Sequence, residues 1–396
     1  MNDKKVEALI KKERARSRRV VNLIASENMV SKDVLAALSS SFVNKYAEGY
    51  PHARYYKGND VVDELEELTQ QRAKKLFALD DRWHVNVQSH SGSPANLAVL
   101  HALVPQGGKI MGMSLQHGGH LTHGHKVSVT GKIWQQISYG VDEKTETIDY
   151  DVLLQTAKKE KPALIIAGYT AYPRQVDWKR FRAIADSVGA LLVADMSHVA
   201  GLVAGRVYPS PFPHADVVTT TTHKTLRGPR GAMIFSRVDE RLLHEKIDRA
   251  VFPGLQGGPH MHTIAGIAVA LHEANSAPFR RYAKQIIVNA NALARELRTL
   301  GWRLIAGGTD SHLVLVDVWM EGKGVGGKRA SEILEEAGII VNMNSIPFDT
   351  RKPNDPSGIR LGVACETTKG KDARAMKLLA NKIDRVLRKH IKAYGR

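Results

Sequence analysis

Short apolar runs alternate with helix-period segments through the middle of the chain. Val85-Asn86-Val87, Ile165-Ile166-Ala167, Leu191-Leu192-Val193 and Val217-Val218 read as strands. Val61, Leu65, Leu68 and Leu76 lie at helical spacing in a segment that opens on Asn59-Asp60 and runs to Phe77. Pro94 to Leu100 reads as a helix with proline in its first turn. The alternation continues to about Asp239 and predicts an α/β domain with a mainly parallel sheet. A long helical stretch around His262 to Glu273 leads out of it.

The two ends read differently. Residues up to about Val20 look like a leading helix, an arm suited to wrapping a partner subunit. In the last third, Ile286, Ala290, Leu293 and Leu297 keep helical spacing, Ser311 to Val316 and Ile339 to Val341 read as strands, and Met376, Leu379, Ala380, Ile383, Leu387 and Ile391 form one face of a terminal helix. The expected division is an N-terminal arm and helix over 1–50, a large α/β domain over 51–276 and a smaller α+β domain over 277–396.

Composition changes this picture only in part. A chain of 396 residues, 43% hydrophobic and 24% charged, can bury a large core. No apolar run reaches the length of about 18 residues that a membrane span needs, and the basic N-terminus lacks an apolar signal core, with Asp3, Glu7 and Glu13 arguing against a transit peptide. A single cysteine, Cys365, rules out an internal disulfide and fits a reducing cytoplasm. The formal charge of +17, concentrated in Lys11 to Arg19 and in Lys369 to Arg396, raises polyanion binding as an option. No nucleic-acid motif accompanies it, so a solvated basic surface is the preferred reading. A polyglutamylated folate would also suit such a surface.

The candidate chemistry centres on Thr219 through Gly231, where Lys224 sits between a run of hydroxyls and a Gly/Pro-rich turn bearing Arg227 and Arg230. Neighbouring positive charge and desolvation favour a neutral, nucleophilic amine, and the obvious carbonyl partner is the aldehyde of pyridoxal phosphate (PLP). A polar loop with a solvated lysine is the alternative. Asp195 ends a buried strand, where ligands of open α/β sheets sit, and could hold the proton of a pyridine nitrogen; helix capping is the other option. His198, three residues on, could stack on such a ring. Ser91-Gly92-Ser93, between a strand and a helix, is a candidate phosphate cradle, and Gly254 to Gly258 is a second loop with amides available to an anion. His117, His120, His123 and His125 invite a metal reading, but interleaved glycines and the lack of acidic or cysteine ligands argue against it. Arg360, flanked by Gly358 and Gly362, offers a planar fork for a carboxylate. Glu48, alone in an uncharged Tyr-Ala-Glu-Gly-Tyr stretch, is the acid/base candidate, its pKa rising if it is buried; a surface carboxylate is the alternative.

These segments, with Leu23 to Asn28, Asn44 to Pro51, His117 to Gly124, Val251 to Gly254 and Ser357 to Arg360, resemble the serine hydroxymethyltransferases nearly end to end. The resemblance implies the aspartate-aminotransferase-like fold (fold type I) of PLP enzymes, with a mainly parallel large domain and a smaller α+β C-terminal domain. It implies reversible conversion of serine and tetrahydrofolate to glycine and methylenetetrahydrofolate in the cytoplasm. PLP would be covalent on Lys224, with Asp195 at the ring nitrogen, His120 stacked on the ring, His198 near its hydroxyl and His223 tuning displacement of the lysine. Ser91, Gly92, Ser93, Thr170, Thr221 and Arg230 would complete the cofactor site together with Tyr46, Gly257 and Gly258 of a neighbouring subunit. Ser26, Tyr56 and Arg360 would hold the amino acid, and Glu48, Tyr55, Leu115, Gly118, Gly119, Leu121 and Asn344 the folate. A homodimer with shared sites is then the minimum unit, with tetramers left open, and no metal or membrane partner is expected.

The chain also departs from the family pattern. Ser197 stands where alanine is usual and should face the ring, and Thr170 stands where serine is usual. Pro51-His52-Ala53-Arg54 precedes the tyrosine pair, Met343 interrupts an Asn-Lys-Asn, and Lys352 to Pro356 lacks the expected Ser-Pro-Phe. These changes fall on the folate side more than the PLP side. They leave a PLP-dependent threonine aldolase or transaldolase, acting without folate, as the alternative function.

Overall fold

The apolar runs pair into a seven-stranded sheet in the computed structural model, which describes residues 1–394. From edge to edge the strands are Trp83–Asn86, Ala232–Arg237, Val217–Thr221, Leu191–Asp195, Leu164–Gly168, Lys109–Met113 and Gln135–Tyr139. Ala232–Arg237 runs antiparallel to both its neighbours, and the pairings from Val217–Thr221 through Gln135–Tyr139 are parallel. Leu164–Gly168 and Val217–Thr221 are buried along their whole length and Leu191–Asp195 along all but its first residue, as a sheet covered on both faces requires. Helices that follow the strands supply the cover: Gly92–Leu103 packs Ala95, Ala98, Val99 and Leu100 into a core with Ile166, Val193, Val217 and Ile234.

Parallel pairing fixes where chemistry can occur. The register sets Gly168 beside Asp195 and Asp195 beside Thr219. The carboxyl ends of these strands therefore share one edge, and the loops after Met113, Gly168, Asp195 and Thr221 all leave from it.

The chain divides into two compact units, 28–284 and 1–27 with 285–396. The expected 1–50 segment is thus split at Glu27/Asn28, and the Ala277–Thr299 helix contributes to both units. The cause of the split is a two-residue strand: Val21–Asn22 pairs in parallel with Ile339–Ile340. The leading helix spans Lys4–Arg19, capped by Asp3 and without a buried residue. The second unit carries a four-stranded antiparallel sheet in the order Arg303–Leu304, Leu313–Asp317, Gly358–Gly362, Asn342–Asn344, and the terminal helix Ala373–Tyr394. The last two residues of the expected 277–396 domain lie outside the described chain. No helix among the described residues is long and apolar enough to cross a membrane.

Candidate active site

Lys224 rides on a tight connection between two antiparallel strands. Thr222 N–H donates to the Gly231 carbonyl (3.1 Å), Gly228 N–H to that of Thr222 (2.7 Å), and the Thr222 hydroxyl to that of Pro229 (2.6 Å). Asn28 Nδ2 and Arg227 N–H both donate to the Lys224 carbonyl, at 2.9 and 3.2 Å. The loop backbone is thereby fixed, and Lys224 Nζ lies 2.9 Å from Thr221 Oγ1. The lysine is half-buried.

Asp195 is buried and does not cap the following helix. Its Oδ2 accepts from Asn96 Nδ2 (2.9 Å) and His123 Nε2 (3.0 Å), and its Oδ1 from Ser197 N–H (3.1 Å). Burial alone would raise its pKa, but the His123 hydrogen bond, then the neighbouring imidazoles and the Ser197 hydrogen bond, hold the carboxyl well below the usual carboxylate range. His123 Nδ1 accepts from His120 N–H (3.4 Å), which assigns the ring proton to Nε2 and aims it at Asp195.

A second chain of hydrogen bonds reaches His120. Thr219 Oγ1 donates to Asn96 Oδ1 (2.7 Å), Asn96 Nδ2 donates to Thr122 Oγ1 (2.9 Å), and Thr122 Oγ1 lies 2.7 Å from His120 Nδ1. Burial, helped by His123 and Lys224, pushes the His120 pKa down to about 4. His223 is pushed down to about 3 by burial, Lys224 and Arg230, and its buried Nδ1 has no hydrogen-bond partner. Both rings are neutral at physiological pH.

The Ser91-Gly92-Ser93 run opens the Gly92–Leu103 helix, and the Ser91 side chain does not cap it. A Cβ at Gly92 would sit 2.6 Å from Thr221 Cγ2, so the helix start abuts the threonine that holds Lys224. Beside it opens a cavity of about 450 Å³, lined in part by His90, Ser93, Leu121, Val129, Leu255 and Gln256. His198 is buried, and its carbonyl accepts from Thr225 Oγ1 at 3.0 Å. Arg230 is exposed. Ser197, expected to face a ring, uses its Oγ to accept the Thr221 N–H at 3.0 Å.

The other candidates form separate groups. Thr170 N–H donates to the Gly118 carbonyl at 2.7 Å, so the Leu115–His117 turn is docked on the Thr170 loop. Gly118 (φ +103°) and Gly119 have a packing reason of their own, since Cβ atoms there would meet the carbonyls of Ala171 (2.5 Å) and Met113 (2.0 Å). Leu115 and Leu121 are exposed. Tyr46, Tyr55 and Tyr56 form an exposed edge-to-face cluster, with Tyr46 Oη 3.4 Å from Glu48 Oε1. Gly257 and Gly258 complete it: a Cβ on Gly257 would lie 3.1 Å from Glu48 Oε1, and one on Gly258 3.4 Å from the Tyr46 ring. Glu48 is half-buried, between the two sequence-level expectations for it.

In the second unit Arg360 is buried, its Nε donating to Asn342 Oδ1 (3.1 Å), and burial lowers its pKa to about 10. Asn344 pairs with Gly358 on the same sheet. Ser26 reaches this sheet because Gly362 N–H donates to the Leu23 carbonyl (2.7 Å) and His312 Nε2 bonds the Ala25 carbonyl (3.1 Å). The altered loop is closed on itself: Asp349 takes both Ser357 N–H (2.9 Å) and Oγ (2.7 Å), Arg351 pairs with Asp355, and its guanidinium lies 3.9 Å from the Trp319 ring centroid.

The histidine run is spent on other partners. His117 Nδ1 accepts from Val141 N–H at 3.1 Å, His120 and His123 serve the network above, and His125 is half-buried, accepting from Val127 N–H (3.4 Å). Among the described residues no group of three or more metal-ligating side chains is placed to hold an ion.

A buried, ionised carboxylate, a lysine on the adjoining strand's loop, an uncapped helix start beside it and an orphaned imidazole nitrogen suit one class of cofactor. These residues fit PLP, and the fold with its site defines a PLP enzyme of fold type I. The chain belongs to the serine hydroxymethyltransferase family, whose members use PLP and take tetrahydrofolate as co-substrate. The model of that family matches residues 1–383. A serine hydroxymethyltransferase of Sorangium cellulosum is 54% identical over 384 residues, covering 97% of this chain and 89% of the relative. Relatives of the same name from Desulfotalea psychrophila (385 residues) and Acidothermus cellulolyticus (384 residues) are each 51% identical, covering 97% of this chain and 88% of their own.

Sequence reasoning missed Asn96, Thr122, Thr219 and the Asp195 contact of His123. A signal existed for Asn96: it is one amide inside the apolar run Pro94-Ala95-Asn96-Leu97-Ala98.

Proposed function

We propose that the chain catalyses the reversible conversion of serine and tetrahydrofolate to glycine and methylenetetrahydrofolate, with Lys224 as the covalent anchor of PLP. When bound, PLP supplies an electron sink for the bond to the serine side-chain carbon. Asp195 would hold the proton of the ring nitrogen, because Asn96, His123 and Ser197 N–H keep the carboxylate ionised. His120, its pKa lowered by burial, would hold the ring as a neutral imidazole. The start of the Gly92–Leu103 helix, with Ser91 and Ser93, would hold the phosphate. Arg360 clamps the amino-acid carboxylate, with Ser26 beside it, and Glu48 moves the proton at the hydroxymethyl oxygen. Leu115, Leu121, Tyr55 and Asn344 form the folate side.

Tyr46, Glu48, Tyr55, Tyr56, Gly257 and Gly258 serve the site of a second subunit in a homodimer. Three exposed tyrosines in edge contact support this, because a lone surface seldom presents so much aromatic area. A single buried cysteine and the absence of a spanning helix among the described residues support work in the reducing cytoplasm.

The observation that carries the reading is the pairing of buried Asp195 with Lys224 on one sheet edge, linked through Ser197 and Thr221. Borohydride reduction of the holoenzyme followed by peptide mapping should place the phosphopyridoxyl group on Lys224 alone. Label on another lysine, or none, removes the basis of the reading.

A further inference from the structure

Between the proposed acid/base group and the tyrosine pair runs a short hairpin whose centre is a buried arginine. Gly49–Tyr50 and Ala53–Arg54 pair antiparallel, setting Gly49 opposite Arg54. The Arg54 side chain is 3% exposed. Its Nη1 donates to the carbonyls of Ala47 (3.0 Å) and Gly49 (2.8 Å), the residues on either side of Glu48. Tyr55 N–H takes the Glu48 carbonyl itself at 2.9 Å. Three successive carbonyls, 47 to 49, are therefore fixed from residues 54 and 55.

The remaining donors tie this clamp to the body of the large unit. Arg54 Nε donates to Asp63 Oδ1 (2.8 Å) and Nη2 to Glu66 Oε2 (2.6 Å), both on the Asp60–Phe77 helix. Gln88 Nε2, beyond the end of the Trp83–Asn86 strand, bonds both Glu66 Oε1 (2.8 Å) and the Gly49 carbonyl (2.9 Å). Gly49 adopts φ +100°, and a Cβ there would meet the Ala53 carbonyl oxygen at 2.3 Å, so the hairpin closes tightly only with glycine.

The geometry points to Arg54 as a positioning residue that sets the Glu48 carboxylate for proton transfer. A guanidinium can meet four acceptors in fixed directions; a lysine ammonium keeps the charge but has three donors and no planar fork. The folding role of the charge and the positioning role of the fork are thus separable. Two of the four donors accounted for serve the carboxylates of Asp63 and Glu66, and the other two serve the backbone on either side of Glu48. The inference rests on the proposed role of Glu48.

The test is a double-mutant cycle with Glu48→Gln, Arg54→Lys and the pair, measured on PLP-loaded enzyme. Arg54→Lys should keep the cofactor absorption band and the KM for serine, and lower kcat by about 10–100-fold, the size of a misplacement of roughly 1 Å. In the Glu48→Gln background the same change should cost less than about two-fold, since residues acting as a unit are not additive. If Arg54→Lys does not fold, Arg54→Met/Glu66→Met, which removes the buried anion with its partner, takes its place in the cycle. Costs that multiply across the cycle would overturn the inference while leaving Glu48 its role. A Glu48→Gln enzyme as fast as the native one would overturn the role of Glu48, and this inference with it.

Discussion

Asp195→Asn enzyme should bind PLP yet turn serine over about 10²–10³-fold more slowly, the loss typical of removing one preorganised electrostatic stabiliser. The reason is local and electrostatic. A neutral amide cannot hold a proton on the pyridine nitrogen, so the ring loses most of its pull on electrons. The surroundings worsen the exchange, because all three partners of the carboxylate are donors: Asn96 Nδ2, His123 Nε2–H and Ser197 N–H. Whichever way the new amide turns, its NH2 meets another N–H, an unsatisfied arrangement costing about 1–3 kcal/mol. Steady-state kinetics and the cofactor absorption band, read together, separate the two effects. An Asp195→Asn enzyme that keeps its band and works within ten-fold of native would show that this carboxylate is not the ring partner.

Mixing two inactive proteins should restore activity. Lys224→Ala removes the proposed anchor of PLP and Glu48→Gln the proposed proton-transfer group, and each should lose on the order of 10²–10⁴-fold. If Glu48 serves the neighbouring subunit, a hybrid dimer assembles one intact site, from Lys224 of one chain and Glu48 of the other, and one site lacking both. After random exchange, symmetric dimers should recover about one quarter of the native specific activity. The exposed Tyr46, Tyr55 and Tyr56 beside Glu48 are the surface that makes such sharing reasonable. Hybrids that form but stay inactive would place Glu48 and Lys224 in service of the same subunit's site.

Most of the sheet was legible because its strands are short apolar runs with sharp ends, and the carboxyl end of one such run gave Asp195 its direction. Lys224 was legible because hydroxyls, arginines and turn residues crowd it in sequence. The Val21–Asn22 strand was not, since two residues carry no periodicity and its partner, Ile339–Ile340, lies more than three hundred positions away. That pairing carries the start of the chain, Ser26 included, into the unit that holds Arg360. The Asp195 network was illegible for a related reason. Asn96 and His123 lie far from Asp195 in sequence, and only the fold brings both to its carboxylate, with Thr219 holding Asn96 from the adjoining strand. Nothing in the sequence marks Arg54 and Glu66 as a pair, yet the helix buries Glu66 completely and the hairpin delivers its partner. Ser197 stands where the family usually has alanine, and its hydroxyl acts on the Thr221 backbone, tying the strand end that carries Asp195 to the one that carries Lys224. The loop from Asp349 to Ser357 closes on itself through Asp349, Arg351 and Ser357, with Asp355 joining them from the run that departs from the family pattern.

The central claim is that this site moves a one-carbon unit from serine to a folate. The most direct measurement is glycine formed from serine by the purified holoenzyme as tetrahydrofolate is increased. The account predicts a saturable rise, with little glycine when folate is left out. Glycine release indifferent to tetrahydrofolate, together with rapid cleavage of threonine, would contradict it and assign the site to an aldolase.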